Sequence, residues 1–222
     1  MSNLTAPYTE SKSFEPAPAG WHPARCFAVI DLGTQWSDTY GKEVHYVRIG
    51  WELPTCLRDD NRPYAIYSRF TLSAHQKATL RKTIESWRGR AYTEQELKQK
   101  GGLPLDKLPG QTAYINVVHA PAKDGSGDVY ANVGGIGPLP KEIKCPAAVN
   151  EQLVFSLQGD AFDAPGFERL TDKTKEIVMR SGEYLRFHGK KPPTPTLSHE
   201  PHDGPPPTNG KDPFDQFDDI PF

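Results

Sequence analysis

The sequence predicts a mainly β, α+β body followed by a long polar tail, on three observations. Residues 43–53 and 64–72 alternate apolar and polar side chains with the period of a half-buried strand. A run with helical spacing follows the third strand. Beyond residue 188 the chain turns to proline, glycine and acids, a composition that cannot bury enough apolar surface to order itself. With 222 residues, 36% hydrophobic content and 22 prolines, one folded domain with tails is expected. The divisions are a disordered lead-in over 1–19, a body over 20–188, a Pro-rich linker over 189–211 and an acidic peptide over 212–222.

Within the body, residues 24–32 carry Phe27, Val29 and Ile30 and read as the first strand. In the second, over 43–53, Val47, Ile49, Trp51 and Leu53 make the core face, and Tyr46, Arg48, Gly50 and Glu52 the other. The third, over 64–72, separates Tyr64, Ile66, Phe70 and Leu72 from Tyr67, Arg69 and Thr71. Ser73 reads as the N-cap of a helix to residue 88, with Leu80, Ile84 and Trp87 on one face. Thr93 and Glu96 have capping-box spacing for a second short helix. Residues 113–119 and 128–136 read as strands joined by a Gly-rich turn, and 153–157 as a further short strand. Residues 167–187 suggest a closing helix that Gly182 frays or breaks. Three strands, a helix and two strands is the element order of an OB-fold, a five-stranded barrel with its helix between strands 3 and 4.

Charge is neutral on function. Three of the 26 bases and six of the 28 acids lie in 189–222, which leaves 23 and 22, a net of +1 for the rest. No apolar run reaches the roughly 18 residues of a membrane span, and residues 1–20 lack a signal-peptide pattern, so a cytoplasmic protein with no membrane partner is expected. Cys26, Cys56 and Cys145 are widely spaced and read as ordinary reduced thiols. No phosphate loop, His-Glu-x-x-His or Gly-x-Ser-x-Gly is present, so no catalytic residue, metal or cofactor is expected. The glycines at 134, 135 and 137 read as a bend, Asp59 and Asp60 as a solvated turn, and His199 and His202 as weak linker ligands.

The tail carries the sharpest signal. Seven prolines in 190–211 keep it extended, and 212–222 then alternates aspartates with Phe214, Phe217, Ile220 and Phe222 without one base. Residues 217–222, Phe-Asp-Asp-Ile-Pro-Phe, closely resemble the ending of bacterial single-stranded DNA-binding proteins. That resemblance implies docking onto nucleases, helicases, primase-associated proteins and recombination mediators, with Asp215, Phe217, Asp218, Asp219, Ile220, Pro221 and Phe222 making the contact. Aspartates and a terminal carboxylate suit a basic rim, and the ring of Phe222 an apolar pocket. Gly20-Trp21, Gly50-Trp51-Glu52-Leu53-Pro54 and Trp87-Arg88-Gly89-Arg90 resemble motifs of phage and prophage proteins regarded as single-stranded DNA-binding. This second resemblance implies replication or recombination work in a bacterial cytoplasm.

Sequence-tolerant binding of single-stranded DNA needs aromatic faces and cations. Tyr46 and Arg48 with Tyr67 and Arg69 would supply both on adjacent strands; the other reading is the wet side of a half-buried sheet. Trp36 and Tyr40 fall in a loop where they could cap a base or pack, and Arg58, Arg62 and Lys123 could reach phosphates. Trp21, Trp51 and Trp87 read as core. Paired sheet edges point to a homodimer. The alternative function is an interaction protein that uses its tail to capture or inhibit replication and repair enzymes without touching DNA.

Overall fold

The computed structural model describes residues 15–37, 40–122 and 127–190. Most of the expected lead-in, the linker from residue 191, the peptide 212–222 and Lys123 lie outside them. Three antiparallel strands come first: β1 (Gly20–Ser37), β2 (Lys42–Leu57) and β3 (Pro63–Thr71). Two helices follow, α1 (Thr79–Arg88) and α2 (Glu94–Lys100), then β4 (Thr112–Pro121), β5 (Val129–Gly137), a short β6 (Leu153–Phe155) and the helices α3 (Ala164–Glu168), α4 (Asp172–Met179) and α5 (Gly182–Phe187).

The strand order is β3-β2-β1-β4-β5, with β6 added parallel to β1. On that side of β1, residues 20–25 pair with β4 and Ala28, Val29 and Ile30 with β6. The sheet is open, which corrects the expected barrel. Its edges β3 and β5 approach each other, but no ladder joins them. Helix α1 packs against both edges, and Ser86 Oγ donates to the β5 carbonyl of Ile136 at 2.6 Å. The chain is an α+β protein with a six-stranded open sheet, not an OB-fold.

Both faces of the central strands are buried, and this sets the fate of the expected binding platform. One core joins Val47, Ile49, Trp51 and Leu53 to Leu80, Ile84 and Trp87 of α1 and to Ile115 and Val117 of β4. The other joins Ala28, Ile30, Leu32 and Tyr46 to Phe155, Phe167, Ile177 and Val178. Glu52, fully buried, accepts from the Val149 and Asn150 backbone amides at 3.0 and 2.8 Å and from Asn150 Nδ2 at 2.6 Å. It ties the segment leading to β6 onto the second face.

The expected C-terminal helix is three helices because side-chain caps restart it. Asp163 accepts from the Gly166 amide, Thr171 from Thr174 and Ser181 from Tyr184. Gly182 therefore opens α5 instead of breaking a longer helix. Gly33 lets α5 sit close: at φ 70°, any Cβ there would collide with Ser181. Helix α1 starts at Thr79, not after Ser73, whose hydroxyl accepts from the His75 amide in a preceding turn. Trp21, expected in the core, is 51% exposed and stacks on Tyr114 at 5.1 Å. No helix among the described residues is long and apolar enough to cross a membrane.

Candidate binding cleft

A cleft of about 410 Å³ opens where the β2–β3 turn, β1, the approach to β6 and the α3–α4 corner meet. Its apolar lining includes Phe27, Ile30, Tyr67, Leu153 and Leu170, and its rim carries Arg58, Arg62 and Arg169. Phe27 and Tyr67 meet edge to face at 5.5 Å. Burial pushes the Tyr67 phenol above its ordinary value, against the lowering pull of Arg48, so the phenol is neutral at physiological pH.

The turn that presents the arginines is short and specific. Asn61 adopts φ 60°, a conformation asparagine tolerates better than most residues, and the Arg58 amide donates to the Arg62 carbonyl at 2.9 Å. Asp60 accepts from Arg62 Nε and Nη2 at 2.9 and 2.6 Å, and these bonds hold its carboxyl below the usual range. Across the cleft, Arg169 Nη2 donates to Glu151 at 3.2 Å and to the Gln152 carbonyl at 2.9 Å. Three guanidiniums and the carboxylates of Asp60 and Glu151 thus meet at the rim. An apolar group bearing a carboxylate or phosphate suits this lining.

The other predicted residues lie elsewhere. Tyr46 and Arg48 are each only 5% exposed, within the second core. Arg69 sits over the Tyr46 ring at 4.7 Å, and Arg48 over Tyr67 at 5.8 Å. The two Tyr-x-Arg pairs do come together: Tyr46 and Arg48 are buried, Arg48 Nη1 reaching Thr174 Oγ1 of α4 at 3.5 Å, whereas Tyr67 and Arg69 are half-buried and Tyr67 lines the cleft. With Tyr46 and Arg48 covered, the four do not make one open stacking platform. Trp36, expected in a loop, lies within β1 opposite Glu43 and is 39% exposed; Tyr40, in the turn to β2, is 58% exposed, and neither lines the cleft. Of the expected cations only Arg58 and Arg62 reach it; Lys123 lies outside the described residues. Among those residues, no three His, Cys, Asp or Glu side chains gather as metal ligands.

No protein-family model and no curated protein matches this sequence. The resemblance to single-stranded DNA-binding proteins therefore finds no support in family comparison, and the open sheet, with Tyr46 and Arg48 buried, removes the structural case for single-stranded DNA binding on an OB-type barrel.

Sequence reasoning missed Phe27, Asn150, Glu151 and Arg169 as cleft residues. Nothing local marks them, because the cleft exists only once residues 150–153 and 169–171 have folded onto β1 and β3.

Proposed function

We propose that the chain is an interaction protein, in which a folded α+β body carries a recruitment peptide over residues 212–222. The observation that carries this reading is the peptide's composition: four aspartates, three phenylalanines and an isoleucine in eleven residues, with no base. Such a segment complements an apolar pocket with a basic rim on another protein. The partners proposed are replication, repair and recombination proteins, met in the cytoplasm. No nucleic-acid step belongs to this reading.

The test is affinity capture with the full chain and with the chain lacking residues 212–222, the retained proteins being identified by mass spectrometry. The deletion is expected to lose replication and repair proteins selectively. Equal retention of those proteins by both chains would refute the proposal.

The cleft favours a second reading, that the body itself binds a group of apolar and anionic character. It rests on the three arginines set over an aromatic lining.

A further inference from the structure

Cys56 stands near the end of β2, half-buried, and its Sγ lies 3.3 Å from Nδ1 of His22 on β1. The other ring nitrogen, Nε2, is 2.8 Å from the Pro18 carbonyl oxygen. A carbonyl can only accept, so Nε2 carries the hydrogen of the neutral ring, and Nδ1 presents its lone pair to the thiol. Nucleophile, base and a third group that orients the base are thus in place.

The other two thiols are built differently. Cys26 is fully buried, hydrogen-bonds the Ala28 carbonyl, and burial pushes it up to about 12. Cys145 points at the Ala24 carbonyl, and burial raises its pKa against the lowering pull of Arg25. Each of these sulfurs donates to a carbonyl, which cannot take a proton from it. Only Cys56 faces a nitrogen that can.

We propose that Cys56 is a modification site, a thiol that His22 activates toward low-molecular-weight disulfides. The Sγ proton passes to His22 Nδ1, and the thiolate attacks one sulfur of the disulfide. One S–S bond forms to Cys56 as the original S–S bond breaks, and the departing thiolate takes the proton back from His22. The exchange is balanced, with the disulfide as the only co-reactant. Tyr64 lies within electrostatic reach of Cys56 and also of Glu15, Asp59 and Arg58.

The adduct has a structural consequence. His22 holds the Pro18 carbonyl, His119 holds that of Ala17 at 2.7 Å, and Ala17 is buried in the first core. Residues 15–19 form a strap secured beside Cys56, and a bulky mixed disulfide replaces the Sγ–Nδ1 contact at its anchor.

The test treats the full chain with glutathione disulfide at neutral pH and maps adducts by peptide mass spectrometry. Cys56 is expected to react about tenfold faster than Cys145, a gain bounded because an unassisted thiol is already a few per cent ionised. Cys56→Ser should abolish the fast adduct. His22→Gln, with its melting temperature checked, should slow it about tenfold and leave the rate following ordinary thiol ionisation. Should that variant fail to fold, the wild-type rate against pH decides: a shoulder below the ordinary thiol range supports the base, and its absence overturns it. Equal rates at Cys56 and Cys145, or an unchanged rate in a folded His22→Gln protein, also overturn the proposal.

Discussion

The Arg69 guanidinium lies over the Tyr46 ring, 4.7 Å from its centroid, on the face of the sheet that the C-terminal helices cover. Tyr46 packs in one core with Ile177 and Val178 of α4. Tyr46 and Arg48 of β2 therefore act in stability. Tyr46→Ala is expected to cost about 3 kcal/mol, the range for emptying a buried aromatic site. A shift in the urea midpoint with unchanged slope measures it. A cost within about 0.5 kcal/mol would mark Tyr46 as a surface residue and contradict the packing.

Arg169 tests the cleft. It is fixed by Glu151 and the Gln152 carbonyl and stands opposite the Arg58–Arg62 turn. A small aromatic carboxylate is expected to bind there and raise the melting temperature of the full chain. Arg169→Ala should weaken that binding about tenfold, as expected for losing one charge-assisted hydrogen bond. Calorimetric titration of both proteins checks it; equal affinities would place the ligand elsewhere.

The alternation in β2 and β3 and the capping box of α2 were legible because each depends on neighbours in sequence. Thr93 and Glu96 cap each other as their spacing implies. Period-2 alternation, however, reports only that a strand has two different faces. It cannot show that Tyr46 and Arg48 lie under α4 and α5, because that cover comes from residues about 130 positions away. Openness of the sheet was equally hidden, since element order is shared by closed and open arrangements. Arg58 and Arg62 stood out as turn cations, whereas Arg169 acquires meaning only by proximity. The Cys56–His22 pair spans 34 residues, and neither residue carries a local mark.

His45 predicts a pH dependence for the docking of α5. Its Nε2 is 2.6 Å from Asp31 Oδ1, and its Nδ1 is 3.7 Å from Glu183 of α5. Burial works against its charge, but the hydrogen bond and charge of Asp31, with the charge of Glu183, raise it above the ordinary 6.5. Burial likewise opposes the Glu183 charge, yet bonds from the Thr34 amide and hydroxyl, both 2.7 Å, with His45, bring it below 4.5. Arg186 lies 3.8 Å from the same carboxylate. The His45 contribution is complete below 6.5 and is lost as pH rises through its raised folded value. That of Glu183 is present above 4.5 and is lost as pH falls through its lowered folded value. Together they favour greatest stability between 4.5 and 6.5. Urea midpoints from pH 4 to 9 should fall on the alkaline side in the wild type and less so in His45→Gln. Parallel profiles for the two proteins would remove His45 from the cause.

The recruitment peptide separates charge from apolar contact. Asp218 and Asp219 suit a partner's basic rim, whereas Ile220 and Phe222 suit its pocket. Exposed charge pairs are screened by salt over about 10 Å at 0.1 M, while apolar burial is not. Asp218→Asn with Asp219→Asn should therefore weaken partner binding at low salt and make it less salt-dependent, the remainder coming from Asp212, Asp215 and the terminal carboxylate. Ile220→Ser with Phe222→Ser should abolish binding at every salt concentration, since the apolar anchors supply most of the affinity. Both variants should melt with the wild type, so that a loss of binding reports the peptide and not the body. The measurement is a salt series of binding isotherms against a captured partner, with the three full-length proteins side by side. If the serine variant keeps its affinity, the peptide acts by charge alone and the apolar half of the recruitment mechanism fails.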